Sequence, residues 1–331
     1  MPRPLTAWNR FFFAPISARP LGAFRIVYGL IAIVNLLFLL GFDTDYWLSD
    51  HGLFQGGEAS EIAGPLRPSP LHYVQDPVTV RVVLVATIAA AVGLTVGWQT
   101  RIMSILYYLG LLSIHHRNVA TASGADVLVM VIAFYLMLSP CGAAYSLDAN
   151  RARKKRGNTL ADPLIIPWAQ RLLQIQICIL YMVTSLLKVA GTTWLDGTAL
   201  HYVLCNREVG RWDFSVLAGY PVLVNVMTVS GLAIELCLAF LLWFKAARPW
   251  LIPAGLSLHL GIFFLVNIPI FGELTTASYL VFLGSGEWEW LRVHLNPYAI
   301  VKRWVGSAAA RIPAARPFAP TDFADAPLGP A

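Results

Sequence analysis

The chain has 331 residues, 57% of them hydrophobic and 13% charged, with a net charge of +6 and a mean hydropathy of +0.63. A soluble domain carries about 25% charged residues, so this composition excludes a water-facing globular enzyme. The basic residues are spread among loops rather than gathered in one patch, which argues against a nucleic-acid partner.

A hydrocarbon core of about 30 Å asks for roughly 20 apolar residues per helix. In chain order, the apolar runs predict eight spans near residues 21–41, 78–98, 101–116, 124–141, 168–191, 219–244, 249–269 and 273–287, the third and eighth being short. Arg3, Arg10 and Arg19 precede the first run and no small-residue cleavage site follows it, so it reads as an uncleaved span rather than a signal peptide. The loop of about 42–77 is acidic, with Asp43, Asp45, Asp50, Glu58, Glu61 and Asp76. By contrast, Arg151, Arg153, Lys154, Lys155 and Arg156 crowd the loop after the fourth span. Placing the N-terminus inside puts most of the 24 basic residues in cytoplasmic segments, and an even number of crossings puts both termini there. Trp98, Trp168, Trp243 and Trp250 then mark inner boundaries, and Trp47 and Trp194 outer ones. The expectation is an all-α, polytopic bundle in the cell (inner) membrane. Its parts are a cytoplasmic segment 1–20, a transmembrane domain 21–290, and an Ala- and Pro-rich cytoplasmic tail 291–331, partly disordered, with no soluble domain after the last span.

Polar groups inside spans are costly and therefore informative. Along the fifth span Arg171, Gln174, Cys178, Tyr181, Ser185 and Lys188 step by three or four residues, which is one face of an α-helix. Such a stripe either knits helices together by hydrogen bonds or lines a wet cavity. Lys188, at its outer end, either snorkels to the headgroups or is desolvated and neutral enough to act as a base. His115-His116-Arg117-Asn118, followed by Gly124 and Asp126, is either an ordinary outer turn or a place to hold a proton. The seventh span carries His259 near mid-depth, with Asn267 eight residues later on about the same face. Glu235 and Arg25 are further intramembrane charges, read as structural and paired with Arg171 or with each other.

Cys141, Cys178, Cys205 and Cys237 are scattered, without C-x-x-C or metal-ligand spacing, so neither a disulfide framework nor a metal site is expected. There is no G-x-S-x-G, no Walker loop and no H-E-x-x-H. Nor does an inverted repeat or broken helix argue for a transporter.

Five stretches in order resemble the horizontally transferred transmembrane (HTTM) family, which includes the vitamin K-dependent γ-carboxylase. They are R-P-L-G-A-F-R-I-V-Y-G-L around Arg25, H-H-R-N…G-A-D around His116, Y-M-V-T-S-L-L-K-V-A-G-T-T-W-L-D-G-T-A-L around Lys188, I-E-L at Glu235, and H-L-G-I…N-I-P-I-F-G around His259. The resemblance implies a quinol-dependent oxygenase or carboxylase chemistry on the outer side of the membrane, with reduced vitamin K (menaquinol) as cofactor and no metal. It assigns Lys188 as the base and His116 as its supporter, with Tyr181, Ser185, His259 and Asn267 as polar groups around the cofactor. Membrane lipid, a quinone and a secreted peptide substrate are the partners implied. Two features depart from the carboxylase: Val189 stands where it has a second lysine, and its large lumenal domain has no counterpart here. The competing expectation is a non-catalytic membrane accessory protein for maturation of, or immunity to, a secreted peptide.

Overall fold

The computed structural model describes residues 4–41, 44–74, 76–157 and 162–294, so most of the 291–331 tail, together with Arg3 and Asp43, lies outside the described residues. The described chain is all-α apart from one antiparallel ribbon, Ile16–Ser17 (β1) with Leu164–Ile165 (β2). In order, the helices of the first half are α1 (Pro4–Phe13), α2 (Arg19–Gly41), α3 (Thr44–Leu48), α4 (Gly56–Ala63), α5 (Pro77–Val96), α6 (Thr100–Arg117), α7 (Gly124–Leu138) and α8 (Leu147–Lys155). The second half has α9 (Trp168–Val189), α10 (Thr192–Leu195), α11 (Ala199–Cys205), α12 (Pro221–Leu241), α13 (Arg248–Leu265) and α14 (Phe271–Ser278).

Five of these, α2, α5, α9, α12 and α13, are long and apolar enough to cross a membrane; α7 is apolar but has only 15 residues. The segment expected as an eighth span does not form one helix. Helix α14 has eight residues and passes into a 3-10 turn at Tyr279–Phe282. Here Thr275 Oγ1 donates to Phe271 O and Ser278 Oγ to Thr275 O, so hydroxyls compete for the helical carbonyls. A separate unit begins at Gly286. Its helix α15 (Ser285–His294) stacks Trp290 on His294.

Helix ends follow local chemistry. Asp76 caps α5 by accepting from Thr79 N at 2.9 Å, Pro77 occupies the first turn, and Gly97 ends the helix at φ 72°, a conformation that glycine adopts without strain. Ser123 and Asp126 form a reciprocal capping box at the start of α7. The Asp of the G-A-D motif is therefore a helix cap.

Helices α2, α5 and α6 pack face to face through small residues. A methyl group placed on Gly29 would overlap Thr95 of α5, and one on Gly110 would overlap Thr87. Arg25 is fully buried (0% exposed) and its partner is not an acid. Its guanidinium donates to Leu94 O and to Thr95 O at 2.8 Å, carbonyls of the last turn of α5, and to Tyr145 O at 2.7 Å just before α8. Helices α9, α12 and α13 form a second layer, and α14 with its 3-10 extension bridges toward α2 and α7.

Candidate functional site

Helix α9 carries the polar stripe, and the structure buries Gln174, Cys178, Tyr181 and Ser185 while leaving Arg171 and Lys188 half-buried at its ends. At the lower end the stripe serves packing. Gln170 Nε2 and Gln174 Nε2 both donate to Val281 O, at 2.7 and 2.6 Å, and Arg171 donates to Gln174 Oε1 at 2.9 Å. The carbonyl of Val281 belongs to the 3-10 turn after α14, whose backbone is thereby satisfied inside the bundle.

The upper half of the stripe differs. Tyr181 Oη lies 2.8 Å from His259 Nε2 of α13 and 2.8 Å from Tyr279 Oη, so one hydroxyl ties three elements together. One turn higher, Ser185 is fully buried and its Oγ has no hydrogen-bond partner among the described residues. Another turn brings Lys188, whose Nζ donates to both carboxylate oxygens of Glu235 on α12 at 2.5 Å and sits 4.8 Å from the ring centroid of Trp194. Glu235 is almost enclosed, its side chain 7% exposed against 23% for Lys188. Glu235 thus pairs with Lys188, not with Arg171 or Arg25. Lys188 bends inward to an acid and an aromatic face instead of snorkelling outward.

The ion pair lies in the lining of a cavity of about 280 Å³ between α9, α11, α12 and α13. Apart from the pair, Thr228, Ser230 and Ser257, its lining is apolar, including Met227, Ile234, Leu258 and Ile262. The volume lies at the lower edge of the range for small-molecule sites, about 300–1,000 Å³. It suits one aromatic ring system rather than a whole lipid. A charged pair in the lining of an apolar cleft can orient a hydroxyl-bearing ring and exchange a proton with it.

The other expected site residues are placed elsewhere. His116 shares no hydrogen bond or ion pair with Lys188. Its Nδ1 donates to Pro68 O at 3.1 Å, and its own carbonyl accepts from His72 Nε2 at 3.0 Å. Arg117 donates to Ser49 O and Phe54 O at 3.1 and 2.8 Å, and Asn118 to Trp47 O at 2.9 Å. The H-H-R-N segment therefore clamps residues 47–72 onto the end of α6. His115 turns the other way, toward Asp126 at 3.9 Å. Asn267 does not share the face of His259, because α13 stops at Leu265. Val266 pairs with Gly210, and Asn267 N donates to Val209 O at 2.7 Å, so this residue is part of an exposed turn.

Three participants carried little signal. Glu235 stood out as an intramembrane charge and in the I-E-L stretch, but its expected partners were Arg171 or Arg25, not Lys188. Tyr279 lies in an apolar run and nothing marks it in the sequence. Trp194 is indistinguishable there from an interfacial belt residue. No curated protein and no solved structure matches the chain. The model of the HTTM domain matches residues 13–288, most of the chain and all of the helices that build the cleft, and the protein therefore belongs to the HTTM family.

Proposed function

We propose that this integral membrane protein is a quinol-dependent oxygenase or carboxylase of the carboxylase-like kind, working in the cleft beside Lys188. The observation that carries the reading is a lysine–glutamate pair, the glutamate almost enclosed, in the lining of a largely apolar cavity of about 280 Å³. In this reading the chain crosses the cell (inner) membrane eight times with both termini cytoplasmic, and the cleft lies toward the outer side. A secreted peptide is the second substrate.

Reduced vitamin K, when bound, would supply acidic ring hydroxyls and the reducing equivalents that oxygenation consumes. The residues of the chain handle the proton. In a site of low polarity, an ammonium beside a carboxylate can pass its proton across, since the neutral pair costs less desolvation than two ions. Glu235 then holds that proton, and Lys188 Nζ, now a free amine, accepts one from a hydroxyl placed in the cleft. Trp194 covers Lys188 and steadies the ammonium that results. Tyr181, His259 and Tyr279 are not in the lining of the cleft; their hydrogen bonds hold α9, α13 and the 3-10 turn together. His116 acts indirectly, by keeping the outer loop in place.

The second reading, a non-catalytic accessory protein for a secreted peptide, is favoured by the same ion pair, since a lysine held by both oxygens of a glutamate is also a stable structural link. Purified protein supplied with reduced menaquinone, oxygen and bicarbonate separates the two. The enzyme reading expects quinone epoxide from wild type and a loss of about 10²- to 10⁴-fold in Lys188→Ala. It expects Lys188→Arg to fail as well, because arginine stays charged. Epoxide no higher in wild type than in Lys188→Ala would leave the accessory reading.

A further inference from the structure

A second cleft, of about 690 Å³, opens at the end of the bundle where α6 and α9 begin and α7 ends, with Thr100, Arg101, Leu138 and Trp168 among its lining. Its rim is of two kinds. The lining holds Arg101 and, from the first turn of α8, Asp148, together with the exposed apolar residues Leu164, Ile166 and Trp168, of which Leu164 belongs to the ribbon with β1. Arg101 spends one guanidinium nitrogen on Met137 O, at 2.5 Å, and the rest of its fork remains available. The one acid in the lining, Asp148, is committed to the start of α6. It accepts from Gln99 N at 3.0 Å and from Thr100 N and Oγ1 at 2.7 Å each, so it caps that helix. From Asp148 helix α8 runs on into Arg151, Arg153, Lys154, Lys155 and Arg156, and none of its residues is buried.

A basic helix alone is explained by topology, because positive charge gathers in cytoplasmic loops. The cleft is not explained that way. A free arginine fork beside exposed leucine, isoleucine and tryptophan presents charge and hydrocarbon to one ligand. We propose that this cleft binds an anionic phospholipid of the surrounding bilayer. Arg101 and the basic residues of α8 take the phosphate and headgroup charge, and Leu164, Ile166 and Trp168 take the glycerol and upper acyl chains. Free inorganic phosphate would leave the apolar half of the cleft without a role. The site stands apart from the Lys188 cleft and does not depend on the reading given for it.

The test uses the full chain in a nonionic detergent, with short-chain phosphatidylglycerol, short-chain phosphatidylcholine and inorganic phosphate as probes and native mass spectrometry as the readout. The expected result is phosphatidylglycerol bound at least about tenfold more tightly than phosphatidylcholine. Arg101→Ala should reduce that preference about fivefold, as one basic residue near a membrane surface contributes. The triple change Arg153→Gln, Lys154→Gln and Lys155→Gln touches no buried residue, so it lowers the preference without disturbing the fold. Ile166→Ser should weaken both lipids. Equal affinity for the two lipids, or a preference unmoved by the triple change, overturns the proposal. Displacement of the lipid by inorganic phosphate at matched concentration also overturns it and reassigns the cleft to a free anion.

Discussion

The two halves of the bundle treat polar residues and glycines in opposite ways. In α2, α5 and α6 the glycines are contact points: a Cβ at Gly29 or Gly110 would run into a threonine of the neighbouring helix, and the buried charge of Arg25 is spent on backbone carbonyls. Where α12 and α13 face the cavity the spacing is looser, although Gly255 of α13 is pressed against Tyr279. A Cβ at Gly261 meets nothing within 4 Å, and Gly231 and Gly261 line the cavity. Of the apolar stretches, 33% and 44% are buried in α2 and α5, against 39% in α12 and 22% in α13. The first half is the more closely packed at its glycines, since Gly22, Gly29, Gly93 and Gly110 each have a neighbouring residue pressed against the place of a Cβ. The second keeps room beside a charged pair, which is what a ligand site requires.

The comparison is broken most severely by removing the scaffold's internal charge. Arg25→Ala should cost at least about 3 kcal/mol, because the carbonyls of Leu94, Thr95 and Tyr145 lose their donors in a site that water does not reach. Thermal unfolding in detergent would show it, and a shift within error would remove Arg25 from the account of the fold. Gly29→Ala comes next, at about 1–3 kcal/mol from overpacking against Thr95. The matched change in the other half, Gly261→Leu, should alter stability by no more than about 0.5 kcal/mol, yet fill the cleft and abolish quinone binding in a direct binding assay. Equal destabilisation by both glycine changes would mean that the halves do not differ in packing.

The smallest effect sharpens the comparison at the loop of residues 47–72. Burial pushes the imidazole of His72 below its ordinary value of 6.5, outweighing the bond to His116 O that pulls it up. The folded state therefore binds fewer protons there than the unfolded chain. The contribution of the clamp is complete above pH 6.5 and is lost as the pH falls through the lower folded value. Acid should loosen residues 47–72 before the helices melt, seen as lower protection of that loop against amide exchange relative to the intrinsic rate at each pH. His72→Gln should flatten the pH dependence of that protection, and a protection indifferent to pH in wild type would rule the clamp out.

Much of the architecture was legible from the sequence, because membrane helices are specified by local composition. Five apolar runs became long apolar helices, and the step of three and four residues from Arg171 to Lys188 became a stripe with its middle buried. The eighth run did not become one long helix: α14 ends at Ser278 and passes into a 3-10 turn, a change of backbone geometry that hydropathy does not register. Likewise, a spacing of eight implied one face for His259 and Asn267 only if the helix continued, and α13 stops at Leu265.

What tertiary structure alone decided was partnership. Lys188 and Glu235 lie 47 positions apart, and Tyr181 and Tyr279 lie 98 apart, so neither spacing carries any trace of the contact. His116 was drawn toward Lys188 by resemblance, but its hydrogen bonds run to the loop at Pro68 and His72. Periodicity determines which side of a helix turns inward, since that depends on residues within a few turns. Which charge meets which depends on the packing of helices distant in the chain, and that is settled by the fit of whole surfaces.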